Sequence, residues 1–430
     1  MITNDQSPNL HGANTATAHV PVSTPVHAPM QQFPVMNGEL LVGGMPLSRL
    51  ANRVGQTPFY AVDRSVLSSR VSELRTALPK AIKLHYAMKA NPMPALVGYM
   101  AGLVDGIDVA SGGELRVALN AGADPAEISF AGPGKSLAEL KQAVAAGVLL
   151  NVESAREVQQ LTVLSEAFGE PARVAVRINP DFELKGSGMK MGGGAKQFGV
   201  DVEQVPQLLA QISSAQLQFE GFYFFAGSQS LNAQAICDAQ QQSYALALRL
   251  AECAPSPIRF LNLGGGFGIP YFPGDRPLDL KPVGDNLAGL CDRAARDFPQ
   301  ADVVTELGRY LVGEAGVYVA RVVDRKVSRG QVFLVTDGGL HHHLAASGNF
   351  GQVLRKNYPI AIGNKMNALE QEVASVVGPL CTPLDVLADR MTLARADVGD
   401  LVVVFQSGAY GASASPQAFL GHPACVEVLV

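Results

Sequence analysis

A rhythm constrains this chain more than any other feature. Between residues 82 and 306, eight short apolar runs alternate with amphipathic stretches of helical period. The runs are Ile82–Met88, Gly106–Val109, Ile128–Ala131, Leu149–Val152, Val174–Ile178, Phe219–Phe225, Ile258–Leu263 and Asp302–Glu306. Strands that recur with a helix between them build a parallel sheet. Eight such units in about 240 residues match a closed (β/α)8 TIM barrel in number and length. A doubly wound open sheet competes, but it has fewer strands and a different glycine fingerprint. The helical stretches include Gly113–Gly122 and Ser136–Ala146; the latter stops at Gly147, where a helix C-cap is expected.

Beyond residue 315 the rhythm gives way to strands without long helices: Val317–Val327, Gln331–Thr336, Gln371–Val377, Asp400–Phe405 and Val426–Val430. The expected plan is therefore a disordered leader over 1–35 and an N-terminal segment over 36–62 whose strand near Phe59 joins the β domain. The barrel follows over 63–314, then a C-terminal β domain over 315–430. The leader is rich in Pro, Thr, Ala, Asn and His, and lacks the basic start and apolar stretch of a signal peptide. Hydrophobic residues make up 47% of the 430, enough for a large core. The net charge of −5 is wrong for a nucleic-acid binder, and no apolar run approaches the roughly 20 residues of a membrane span. Five scattered cysteines without a CxxC pair read as thiols of a reducing, cytoplasmic compartment, with neither a disulfide framework nor a zinc site.

In such barrels function collects where strands end. Lys89 follows the first run, and Asp108 and Glu114 flank the end of the second. Arg177 lies in the fifth, Phe225 and Ser228 close the sixth, Gly264, Gly265 and Gly266 the seventh, and Glu306, Gly308 and Arg309 the eighth. Singly, each has a plainer reading: a strand-end lysine is usually solvated, a glycine run usually a tight turn, a Glu/Arg pair usually a surface ion pair. Together, an amine, backbone N–H groups that could cradle a phosphate and a carboxylate, all facing one cavity, suit pyridoxal 5′-phosphate.

The strings YAMKAN, DVASGGEL, FAGPGK, AGSQ, NLGGGFG, ELGR, GPLCTPLD and SGAYG occur in this order. From about residue 40 to the end, the chain resembles the fold-type III pyridoxal-phosphate decarboxylases, the diaminopimelate/ornithine decarboxylase family. KMGGGAKQFGVD, DGGLHHHLAASGNF and FLGHP resemble the subgroup of exosortase-associated and glutamyl-[acyl-carrier-protein] decarboxylases. The resemblance implies an alanine-racemase-like barrel plus β domain and an obligate homodimer with shared active sites. It makes Lys89 the Schiff-base lysine and Glu306 the partner of the ring nitrogen. Ser228, Gly264, Gly265, Gly266, Gly308, Arg309 and Tyr410 would hold the phosphate, while Asp108, Arg177 and Phe225 would lie around the ring. Cys381 would reach across the dimer and reprotonate the substrate carbon.

Departures from the family pattern bear on the substrate. The ring-stacking histidine is Phe225 here. The acidic residue that recognises a distal amine is Thr382, so a distal ammonium would lack a counter-ion, which is costly if buried. The RPxxY segment is replaced by HHHLAASGNF, with Arg355 later. Thr382, Arg355 and Tyr410 are the expected substrate contacts. Free meso-diaminopimelate is accordingly disfavoured, and an aminoacyl group on a carrier protein is the other substrate considered. An amino-acid racemase on the same fold and a non-catalytic cofactor-binding homologue are the rival readings. His341, His342 and His343 read as a cofactor-edge or substrate contact, or as a solvent-facing loop. Gly192–Gly194 reads as a flexible lid, and Cys237, Cys253 and Cys291 as apolar fillers of helices.

Overall fold

The computed structural model describes residues 26–183, 188–352 and 354–430. Eight parallel strands close into a barrel: Ile82–Ala87, Gly106–Val109, Ile128–Phe130, Leu149–Val152, Arg173–Asn179, Gln218–Phe224, Phe260–Gly265 and Asp302–Leu307. Each pairs with the next, and the eighth returns to the first through the register Val303↔Ile82 to Leu307↔Tyr86. The expected strands and the closed barrel are both present.

Local chemistry explains why the helices start where they do. Ser111, Ser136 and Ser154 each accept a hydrogen bond from a backbone N–H of the first turn. Ser136 and Glu139 complete a reciprocal capping box, and Gly147 ends that helix in the left-handed region as expected. Inside the barrel, Leu149, Ala175, Tyr223, Phe225, Phe260 and Val304 form a separate apolar cluster. The larger core lies between strands and helices and runs on into the β domain. Cys237 and Cys291 are buried in helices as expected, but Cys253 is exposed just past one.

The second domain is an eight-stranded, mostly antiparallel sheet built around Gly316–Ser328. That strand pairs with Leu401–Val404 along one edge and with Phe59–Val62 along the other. The C-terminal strand Val426–Leu429 then lies parallel to Phe59–Val62. Both ends of the chain therefore finish the β domain, and the barrel is inserted between them. Two strands of this sheet, Ile360–Ile362 and Val386–Ala394, were not anticipated.

The folded part begins earlier than the sequence suggests. Phe33, assigned to the leader, is buried against Phe405, with ring centroids 6.0 Å apart. His27 Nε2 also contacts the carbonyl of Asn357 at 2.9 Å. The rest of the expected leader, residues 1–25, lies outside the described residues.

Candidate active site

The C-terminal ends of the barrel strands gather the expected side chains. Lys89 sits on a single 3-10 turn directly after the first strand. Its Nζ donates to Glu306 Oε1 at 3.2 Å. Glu306 is almost wholly buried at the end of the eighth strand. Its other oxygen accepts the hydroxyl of Tyr223 from the sixth strand. Burial pushes the Tyr223 phenol well above its ordinary pKa, and the Glu306 charge adds to this, so it stays protonated and donates. Burial opposes the charge on Lys89, but Glu306 and then Tyr410 outweigh it, and the ammonium is held more firmly than in water. The Lys89 ammonium stands 4.8 Å from the centroid of the Phe225 ring.

Arg177 packs its guanidinium 5.4 Å from the Tyr223 ring and donates from Nη1 to Glu153 Oε1 at 3.0 Å. Glu153 is a residue that the motif reading passed over. It accepts the N–H of Gly132 at 2.6 Å and the N–H of Gly199 at 2.9 Å. One carboxylate thus ties together loops that follow the third and fifth strands and holds Arg177. The available signal was its place at the end of the fourth strand, in NVES.

On the opposite side lies a site suited to phosphate. Gly264 and Gly266 both adopt left-handed backbone angles, φ +75° and +74°, which an L side chain strains to reach. A Cβ on Gly265 would stand 2.1 Å from the carbonyl oxygen of Glu306, so backbone alone fits there. Gln229, two residues past Gly227, braces this loop: its amide donates to Ile269 O at 2.7 Å and accepts from Ile269 N at 3.2 Å. Ser228 is buried in a two-residue ladder with Met189. Arg309 donates from Nη1 to the Tyr271 hydroxyl at 2.9 Å and lies 4.6 Å from the Tyr410 ring centroid. Its Nε is buried with no hydrogen-bond partner among the described residues. Tyr410 is fastened to the lysine segment, its N–H bonding Ala90 O at 2.7 Å. Gly308 lets that segment approach, since a Cβ there would meet Ala90 Cβ at 2.9 Å.

Other expected residues are placed differently. Asp108 turns one oxygen to His85 Nδ1 at 3.2 Å and to the Ser129 hydroxyl, while Oδ2 is buried without a partner among the described residues. Glu114 is engaged by the N–H of Ala110 at 2.7 Å. Arg355 donates to the carbonyl of Ser347 at 3.0 Å. Cys381 and Thr382 lie on the turn between Gln371–Val377 and Val386–Ala394, and Cys381 is exposed. Buried Asp385 holds this turn, accepting the N–H of Leu380 at 2.8 Å and of Leu340 at 2.6 Å. Within the one chain, no hydrogen bond or ion pair joins Cys381, Thr382 or Arg355 to Lys89 among the described residues.

The histidine run is not a solvent-facing loop. His341, His342 and His343 are all buried, with His343 Nε2 2.9 Å from the Ser407 hydroxyl and His342 Nε2 2.9 Å from Pro423 O. His343 packs edge-on against Tyr358 at 5.7 Å. The expected lid at Gly192–Gly194 is tied to the end of the fifth strand: Asn179 accepts the N–H of Gly193 at 3.1 Å and donates to Gly194 O at 2.8 Å.

A parallel barrel that presents a lysine–glutamate pair beside a side-chain-free, arginine-flanked turn has the framework of a pyridoxal enzyme. The family described as pyridoxal-dependent decarboxylase, pyridoxal binding domain, matches residues 64–313. The chain belongs to this family of decarboxylases. It is 38% identical, over 87% of its length and 89% of the relative's, to the L-glutamyl-[BtrI acyl-carrier protein] decarboxylase of Niallia circulans. It is 32% identical to the diaminopimelate decarboxylase of Aquifex aeolicus, covering 92% of this chain and 91% of that one. Among solved structures it resembles the Helicobacter pylori diaminopimelate decarboxylase complexed with L-lysine. The TM-score is 0.79 at 27% identity, covering 89% and 94% of the two chains.

Proposed function

We propose that this chain binds pyridoxal 5′-phosphate through the residues assembled above and decarboxylates an amino acid whose side-chain carboxyl is joined to a carrier protein. The pairing of Lys89 with a buried, phenol-anchored Glu306 carries the reading. When bound, the cofactor supplies a conjugated cationic ring that accepts the electron pair released as CO2 departs. Lys89 supplies the amine that holds it covalently. Glu306 keeps a proton at the ring nitrogen, and Tyr223 fixes which way that carboxylate faces. A cation in place of Glu306 would disfavour protonation and suit a racemase better. The glycine turn, Ser228, Arg309 and Tyr410 bind the phosphate, with the unpartnered Arg309 Nε as one donor. Phe225 packs on the ring, and Asp108 and Arg177 line its surroundings. Cys381 of a second protomer delivers a proton to the carbon that lost CO2.

The chemistry dictates how a tethered substrate must be attached. Loss of the α-carboxylate requires a free α-amino and α-carboxyl group, so the thioester has to be made through the side-chain carboxyl. Such a side chain ends in a neutral acyl group. Thr382, uncharged where a distal ammonium would need a counter-ion, is consistent with that, as is the glutamyl-carrier substrate in the Niallia circulans relative's name.

The test is CO2 release by cofactor-loaded protein across free diaminopimelate, ornithine, lysine, arginine and glutamate, and across glutamate joined to a carrier through its side chain. Turnover of the tethered substrate alone supports the proposal; brisk turnover of a free amino acid overturns the carrier assignment. In parallel, Lys89→Ala is expected to abolish both activity and the absorbance of lysine-bound cofactor. Retention of both would overturn the role of Lys89.

A further inference from the structure

Next to the phosphate-binding residues is a cavity of about 390 Å3 that decarboxylation itself does not require. Its inner wall is aromatic: Tyr271 and Tyr358 stack with centroids 4.7 Å apart, and Arg309 is bonded to the Tyr271 hydroxyl. Its outer wall is the loop that carries Phe350, Leu354 and Lys356. Phe350 lies 6.3 Å from the Tyr410 ring, and Tyr410 is bonded to Ala90, the neighbour of Lys89. The Phe350 and Tyr410 rings thus link the inner wall of the cavity to the lysine segment, and the outer rim is open to solvent.

The lining has a definite chemistry. Ala345, a single methyl on the wall, leaves the passage wide. At the mouth, Leu354 is 78% exposed and Met189 40%, an apolar rim of the kind that marks a contact site. Lys356 stands at the same rim, its ammonium 5.5 Å from the Phe272 ring centroid, and makes no carboxylate ion pair among the described residues. Arg355 beside it is bonded to the carbonyls of Ser347 and Val386, and Asp389 is the acidic group acting on it. A largely apolar cavity that adjoins Arg309 on the phosphate side and carries the Lys356 cation at its rim extends beyond the groups a free amino acid must reach. It matches an arm with an anion at one end and a thioester at the other.

We propose that this cavity receives the phosphopantetheine arm of an acyl-carrier protein. The amide and aliphatic part of the arm lies against Tyr271, Tyr358 and Phe350, and its phosphate meets Lys356. The proposal rests on the carrier-bound substrate assigned above. It adds which surface takes the arm and how the anion is recognised.

Glutamate joined through its side-chain carboxyl to pantetheine, to 4′-phosphopantetheine and to a phosphopantetheinylated carrier separates the possibilities. With the unaltered, cofactor-loaded chain, the KM for the phosphopantetheine thioester is expected to fall at least about tenfold below that for the pantetheine thioester. Lys356→Glu should erase that difference, leaving kcat and the pantetheine KM in place. Leu354→Asp should raise the KM of all three thioesters. Calorimetric titration of S-methyl phosphopantetheine should show the same dependence on Lys356 without any turnover. If the carrier substrate turns over but neither exposed-residue variant changes its KM, the carrier assignment stands and the cavity proposal fails. If Leu354→Asp separates a homodimer while the KM values hold, the mouth is a contact between copies and the proposal also fails. Turnover of free glutamate with no gain from any tether would instead overturn the carrier assignment itself.

Discussion

Glu306 receives a hydrogen bond on each oxygen from donors of opposite character: the Lys89 ammonium, which could leave it for a cofactor, and the Tyr223 phenol, which cannot titrate near neutral pH. Tyr223→Phe keeps the ring and its packing against Arg177 but removes the donor. A hydrogen bond to a charged group contributes about 1.5–3 kcal/mol, so kcat/KM should fall by roughly ten- to a hundredfold. The pH dependence of the bound cofactor's absorbance should move as well, while thermal stability changes little. An unaltered absorbance profile would show that Tyr223 does not orient the carboxylate. Lys89 offers a second test. Its raised pKa keeps the cofactor-free amine protonated, so the rate of cofactor capture should increase as pH rises toward and beyond 10. Glu306→Gln should shift that profile to lower pH; coincident profiles would mean that Glu306 does not hold the ammonium. Lys89 and Glu306 were legible because each sits at the end of an apolar run within a recognisable string. Glu153 was not, since its importance comes from two N–H groups and a guanidinium that are distant in sequence.

At the scale of elements, the histidine run shows how burial reverses a polar reading. His343 is fully enclosed by Tyr60, Tyr318 and Tyr358, and burial pushes its pKa down to about 3. The unfolded chain would protonate it near 6.5. Between those values the unfolded state binds more protons, so stability is lost as pH falls below about 6.5, at up to about 1.4 kcal/mol per pH unit for this group. His343→Gln, which can keep a hydrogen bond to Ser407, should flatten the decline of the urea midpoint between pH 6 and 4. Parallel declines for the two proteins would refute the assignment. Two of the unanticipated strands belong to this domain too. Ile360–Ile362 is only three residues long, and Val386–Ala394 carries a register shift and charged residues that break simple alternation. Such strands are specified by the partners they bond, whereas barrel strands buried on both faces read as apolar runs.

At the scale of the whole molecule, the role proposed for Cys381 requires a second protomer to complete the site. Lys89→Ala and Cys381→Ala are each expected to be inactive alone. Mixed and re-equilibrated, they should recover roughly a quarter of the unmutated activity, because half the dimers then hold one intact composite site. No recovery from a mixture shown to exchange subunits would place both residues in the same protomer's site. The eightfold rhythm, the caps and the strand-end motifs were set by the sequence alone, because strand periodicity, helix capping and backbone freedom at glycine are local properties of the chain. Tertiary structure decided what depended on distant segments. Phe59–Val62, expected in the β domain, gained its two particular neighbours, Phe33 and the histidines became buried, and Glu306 gained Tyr223. Pairing and burial are set by which distant surfaces meet, and a linear pattern carries no record of that.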